Sequence, residues 1–323
     1  MGWIWARPVW LLWLPPLVWS SNIVLSRAYS HAFPPIALTC SRWLVAFLVL
    51  LPLVWSRAIR QLPVLRAHWL LILLCGILGI AGYSILGYMA AATTTAANIA
   101  FINSTLPLMV PLMATVVSRE PLSARTVFGA VISFAGVAWL VLRGDPRSAA
   151  DLSFRGGDFQ ILAGVANYAL YSVLIRRKPP ELDLFVFLLA TIAAGEIVLL
   201  PFWIHEALTD RTLPLDPLSI GIVIYLGLII CLLGGVVWNR CIVVLGATVT
   251  GASYHLLAVF TALLAAICLG ERLEQYHVAG FALILTGVAL ATARRRHPRP
   301  DRAPGRNITP HNGAPQLRAT AGE

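Results

Sequence analysis

The stretch Asn98–Arg143 reads NIAFINSTLPLMVPLMATVVSREPLSARTVFGAVISFAGVAWLVLR. It holds two long apolar runs, Asn98–Ser118 and Ser123–Leu142, joined by the charged turn Arg119-Glu120-Pro121. Each run has about the twenty residues a helix needs to cross a bilayer core. The stretch also occurs a second time. A shift of 151 positions lays Ser104–Arg143 on His255–Arg294, matching Leu106 with Leu257, Glu120 with Glu271, Gly129 with Gly280, Gly136 with Gly287 and Arg143 with Arg294. Unrelated apolar runs share Leu and Val. They do not also share an acidic turn and two glycines in register. An internal duplication in a membrane protein points to a transporter.

Composition supports a chain that lives in lipid. Of 323 residues, 59% are hydrophobic and only 12% are charged, about half the charge of a soluble domain. The net charge of +10 does not call for nucleic acid, because the arginines sit between apolar runs and in the tail, where membrane topology uses them. Cys40, Cys75, Cys231, Cys241 and Cys268 are scattered through or beside apolar runs, without metal or redox spacing. They read as small core residues, and no metal or cofactor is expected. The start, MGWIWARPVWLLWLPPLVWSSNIVL, is long, tryptophan-rich and lacks a small-x-small cleavage pattern, so it reads as a retained first span.

Ten spans follow from the apolar runs: 8–28, 34–55, 69–90, 97–118, 123–142, 157–175, 182–204, 217–240, 248–269 and 274–293. The fold class is an all-α integral membrane protein whose ten transmembrane helices form two five-helix inverted repeats, 8–142 and 157–293. Residues 294–323 are rich in Arg, Pro, Gly and Asn and read as a disordered cytoplasmic tail. The duplication reaches the front of each half, where a shift of 149 pairs Val24-Leu25 with Val173-Leu174, Trp19 with Tyr168 and Asn22 with Tyr171. Five spans is an odd number, so the halves enter the membrane in opposite senses. Arg57, Arg60, Arg66, Arg119, Arg125, Arg176, Arg177 and Lys178 fall on one side if both termini are cytoplasmic, and the positive-inside rule favours that orientation in an inner (plasma) membrane. The loop 143–155 is then outside.

Several motifs resemble the EamA family of the drug/metabolite transporter superfamily. They are Phe33-Pro34-Pro35-Ile36-Ala37-Leu38 with Arg42-Trp43, Thr93-Thr94-Thr95-Ala96-Ala97-Asn98, Ile102-Asn103-Ser104-Thr105-Leu106-Pro107-Leu108, and Gly270-Glu271-Arg272-Leu273. The resemblance covers about residues 8–293. It implies ten helices, two homologous halves, and export or exchange of small metabolites or drugs. The second half departs from the first, with Ala258 where the first has Pro107.

Polar groups in a span are costly, so they face a cavity or another helix. Trp19, Asn22, Asn167, Tyr168 and Tyr171 occupy related faces of the first and sixth spans, and with Asn103 and Tyr254 they are candidates to line a central path. Interhelical hydrogen bonding is the plainer alternative. Ser104, Pro107 and Pro111 share a face of the fourth span, where each proline frees a carbonyl. The glycines of the fifth and tenth spans read as close packing. Glu120 and Glu271 read as charges placed for helix starts. Arg42 and Glu196 are charges well inside spans: Arg42 is a candidate for a substrate carboxylate or a structural partner. Glu196 and His255 are candidates for proton coupling, each with a structural alternative. No paired nucleophiles or metal-binding motif suggest catalysis. The function read from sequence is a carrier of amino acids, related amphiphilic solutes or drugs, working by alternating access in the direction of export; the rival reading is a membrane-embedded enzyme acting on a lipid-soluble substrate.

Overall fold

Lipid offers the backbone no hydrogen-bond partners, so a spanning segment must satisfy itself as a helix. The computed structural model describes residues 11–28, 33–119, 123–151, 156–209 and 213–292, and among them all regular structure is helical. The long helices are α1 (Leu14–Ala28), α2 (Pro35–Arg60), α3 (Trp69–Ala91), α4 (Asn98–Ser118), α5 (Ala124–Val141), α6 (Gly156–Arg177), α7 (Leu184–Leu208), α8 (Pro217–Leu245), α9 (Ala247–Leu269) and α10 (Gln275–Thr292). Among the described residues nine of these, α2 to α10, are long and apolar enough to cross a membrane, whereas α1 has 15 residues. Ten crossings were expected from the sequence. The turn at Glu120 and the tail 294–323 lie outside the described residues. The outward surface is apolar: Leu53, Trp55, Phe128, Ile197 and Val278 are exposed, as a lipid-facing surface requires.

The duplication reappears as paired contacts. α2 and α7 run antiparallel. At one end Arg57 pairs with Asp183 at 3.0 Å, beside the start of α7. At the other end Glu206, near the end of α7, accepts from the backbone N–H of Ile36 at 3.3 Å and of Ala37 at 2.6 Å. Arg57 and Glu206 are 149 positions apart, the repeat shift. Likewise Gly76 lies against the Thr191 carbonyl and Ala194, while Gly227 lies against the Arg42 carbonyl and Val45. Thr191 and Ala194 are the repeat equivalents of Arg42 and Val45. α5 and α10 also run antiparallel. A Cβ on Gly129 would sit 2.6 Å from the Gly287 carbonyl oxygen, and one on Gly136 would sit 2.8 Å from that of Gly280. Only glycine lets the two backbones touch here.

The halves exchange their first helices. α1 packs on α8 and α9, and α6 packs on α3 and α4. Matching irregularities follow. α3 widens to a π-helix over Ile77–Gly82, and α8 does so over Leu226–Leu233. α4 breaks at Ser104-Thr105 before restarting at Leu106, and α9 passes through a 3-10 turn, Ser253–His255. α9 is therefore broken although Ala258 replaces the proline. Both helices also end on a left-handed residue, Arg119 (φ 53°) and Gly270 (φ 69°), again 151 positions apart.

Candidate functional site

The break in α4 and the break in α9 meet. Pro107 has no N–H, and the Leu108 N–H turns to the Thr105 carbonyl at 2.9 Å, so the Ser104 carbonyl loses its usual helical donor. His255 supplies one, its Nε2 lying 2.8 Å from the Ser104 oxygen. The separation of these residues, 151, is the repeat shift itself, so the contact joins equivalent positions of the two halves. The other ring nitrogen, Nδ1, is bonded to Ser133 Oγ of α5. His255 thus ties α4, α5 and α9 with both nitrogens engaged, and its ring is buried.

Next to this junction is a cluster of aromatic rings. Tyr168 of α6 sits among Trp19 at 6.3 Å, Tyr83 at 5.5 Å, Tyr171 at 5.4 Å and Trp238 at 6.0 Å, measured between ring centroids. Trp19 also meets Trp238 at 5.1 Å and Tyr254 at 6.1 Å, and Trp238 meets Tyr254 at 6.3 Å. Such tilted and edge-on pairs contribute about 0.5–1.5 kcal/mol each beyond the area they bury. The rings come from α1, α3, α6, α8 and α9, so both halves build the cluster. The wide turns make room for it. Trp19 Nε1 donates to the Ile230 carbonyl at 3.2 Å, inside the π-helical part of α8. A Cβ on Gly79, in the π-helical part of α3, would overlap the Tyr171 ring at 2.6 Å.

The structure therefore gathers Trp19, Tyr168, Tyr171 and Tyr254. Asn103 joins through Tyr83, whose hydroxyl donates to its Oδ1 at 3.2 Å. Asn167 lies against Gly82, where a Cβ would meet its Nδ2 at 2.8 Å. Asn22 is half-buried three residues beyond Trp19, and no described contact ties it to the rings. Arg42 and Glu196 are half-buried on α2 and α7 and interact electrostatically. Among the described residues they do not close to an ion pair, and Arg42 Nε and one Glu196 carboxylate oxygen have no hydrogen-bond partner. Tyr83 also feels the Arg42 charge.

Three participants escape a reading by repeat equivalence: Tyr83, Trp238 and Asn239. Tyr171 donates to Asn239 Oδ1 at 3.0 Å. Trp238 Nε1 and Asn239 Nδ2 are buried without an acceptor among the described residues. Such orphaned donors are uncommon in native structures. The signal for them is Trp238-Asn239-Arg240, a polar run inside an apolar span. Asp158 also escapes it. Buried at the start of α6, Asp158 accepts from Asn98 Nδ2 at 3.0 and 3.1 Å and from Thr94 Oγ1 at 2.5 Å, so the threonine-rich motif anchors the second half to the first.

At one end of the bundle lie two neighbouring cavities. One, of about 320 Å³, is bordered by Pro111, Thr115, Arg176 and Val243. The other, of about 590 Å³, is bordered by Arg176, Lys178, Asp183 and Arg240. Burial pulls the Lys178 pKa below the usual lysine range, opposed by the charges of Asp183 and Glu181. At the other end Asp216 caps α8, and hydrogen bonds from the Ser219 hydroxyl and backbone hold its carboxyl below the usual range.

The sequence pattern of the EamA-like transporter family matches residues 6–142 and again 155–293. The chain belongs to that family. Its EamA-like halves have relatives described as uncharacterized transporters: YyaM of Bacillus subtilis, 26% identical over 79% of this chain and 83% of the relative; a protein of Archaeoglobus fulgidus, 24% identical over 88% and 97%; and YetK of Bacillus subtilis, 23% identical over 86% and 84%. A solved crystal structure has the same fold, with a TM-score of 0.72 and 21% identity over 89% of this chain and 96% of that one. An EamA-like chain of this kind is a multi-pass membrane transporter.

Proposed function

We propose that the protein exports a small amphiphilic solute of the amino-acid type across the inner membrane by alternating access. The observation that carries this reading is the aromatic cluster with its orphaned donors. Rings from both halves offer an apolar, stacking-capable wall. Trp238 Nε1 and Asn239 Nδ2 offer hydrogen bonds that a solute carboxylate or carbonyl can accept. Arg42 supplies a permanent cation whose charge reaches Tyr83 of the cluster. The antiparallel halves, each with a broken helix, supply the two related arrangements that alternating access needs. The net direction, outward, follows the motif resemblance, and both termini are assigned to the cytoplasm from the arginine distribution.

Of the two coupling candidates we assign the role to Glu196. A carboxyl in this setting can exchange a proton during the cycle, whereas the two ring nitrogens of His255 are already used to join α4, α5 and α9. The test is counterflow in proteoliposomes with a panel of labelled amino acids, nucleosides and amphiphilic drugs, with the solute recovered and its chemistry checked. A carrier returns it intact. Trp238→Phe keeps an aromatic ring, a smaller one, and removes the donor, so it is expected to raise KM about tenfold for carboxylate-bearing solutes, the worth of one hydrogen bond to a charged group. Unchanged KM for every transported solute would overturn the binding role of this residue.

A further inference from the structure

His255 joins the halves in one sense only. A carbonyl oxygen only accepts, so the 2.8 Å contact with the Ser104 oxygen places the ring proton on Nε2. Nδ1 meets Ser133 Oγ of α5, and all three residues are buried. A shift of 151 relates Ser104 to His255 and Ser133 to Ile284. A mirror of this junction would need the side chain at 104 to reach the 255 carbonyl and the side chain at 284. Neither residue can serve. The Ser104 hydroxyl is short and turns back to the Phe101 carbonyl at 2.6 Å. Ile284, buried against Gly136, has no polar side-chain atom. The two ends of the bundle differ as well. Leu245 and Val249, beside the α8–α9 connection, border the cavity of about 320 Å³. Their equivalents 151 positions earlier, Thr94 and Asn98, are bonded to Asp158 instead. Equivalent positions thus line a cavity at one end and form a polar clasp at the other.

We propose that His255 is a one-sided latch: it favours the conformation with the cavity at the α8–α9 end, and it must release in every transport cycle. Alternating access in inverted repeats rocks one half against the other. The conformation open at the opposite end is reached when each half takes up the other's arrangement. The contacts of His255 would then fall to Ser104 and Ile284, which cannot make them, and two buried hydrogen bonds are lost. Each shifts the balance between the two conformations about fivefold. The inference rests on the alternating-access reading and does not depend on which solute is carried.

The experiment compares the reactivity of single cysteines toward a small charged thiol reagent, in the full chain on a cysteine-free background. The protein is held in nanodiscs, where the reagent reaches both faces. Thr115→Cys reports the cavity, which Thr115 borders. Ala266→Cys, at the equivalent position of α9, reports the opposite end. His255→Phe keeps a ring and removes both bonds, so it should lower the ratio of Thr115→Cys to Ala266→Cys reactivity about 25-fold. Ser133→Ala removes one bond and should lower the ratio about fivefold; it carries the test if the phenylalanine variant does not fold. Asn98→Ala weakens the clasp without touching the latch and should also lower the ratio, which shows that the two cysteines follow the exchange. An unchanged or raised ratio in the folded latch variants overturns the proposal. With a response to Asn98→Ala, that result leaves alternating access standing and makes His255 a purely structural tie. Without such a response, the alternating-access reading falls together with the latch.

Discussion

The clasps at the two ends of α2 and α7 occupy equivalent positions but should differ in strength. Glu206 is only 5% exposed and accepts from Ile36 and Ala37, which are themselves 4% and 1% exposed. Glu206→Ala leaves two buried donors without an acceptor, at about 1–3 kcal/mol each. The 3.3 Å bond is the weaker one, so the total should be about 2–4 kcal/mol, part of it from the lost carboxylate at a helix N-terminus. Arg57 and Asp183 are 41% and 26% exposed, and a pair so open to solvent stabilises by about 0–1 kcal/mol. Thermal unfolding in detergent, followed by intrinsic tryptophan fluorescence, reads the difference. Glu206→Ala should lower the midpoint by about 5–10 °C, Glu206→Gln by about half as much because one acceptor oxygen remains at Ala37, and Arg57→Ala by about 2 °C or less. Equal losses from Glu206→Ala and Arg57→Ala, or no loss from Glu206→Ala, would refute the reasoning from burial.

Gly287→Ala should destabilise by about 1–3 kcal/mol, because its Cβ would run into the Gly129 carbonyl and Ser133. Gly221→Ala, with nothing within 4 Å of its Cβ, should instead stabilise α8 by about 0.5–1 kcal/mol; the same unfolding assay compares them. Asp216 has a lowered folded pKa, so its contribution is present above the unfolded value of about 3.9 and is lost as pH falls through the folded value. The gap in unfolding midpoint between wild type and Asp216→Ala should accordingly close on acidification, and a constant gap would contradict the cap. Arg42→Ala should raise KM for acidic and zwitterionic solutes while sparing neutral ones; equal impairment of all solutes with a lower unfolding midpoint would assign Arg42 a structural role. Single cysteines at 57–66 and 143–151, on a cysteine-free background, should react with an impermeant reagent in whole cells only in the second segment.

Hydrophobic runs of about twenty residues, an acidic turn and glycines recurring at 151 positions, and an odd number of runs per copy were enough to read a helical membrane protein of inverted repeats, and the resemblance of motifs such as Thr93–Asn98 and Ile102–Leu108 pointed to its family. Lipid makes this possible: it admits few backbone structures, so length and polarity nearly determine the element. Repeat equivalence also picked out Trp19, Tyr168 and Tyr171, because symmetry places equivalent helices around one axis. It did not single out Tyr83, Trp238 or Asn239, which follow the π-helical stretches Ile77–Gly82 and Leu226–Leu233 and meet the other rings only in the packed bundle. Nor could it give His255 its partners. The Ser104 carbonyl is freed by a local break, but the imidazole that takes it comes from 151 residues away, and that meeting depends on how the halves cross. The same holds for Glu206, an acid near the end of an apolar run whose acceptors find their donors only when α7 lies antiparallel to α2. Sequence determines which segments must hide their backbone. Which polar side chains then meet, and which are left without partners, is decided by the packing of one half against the other.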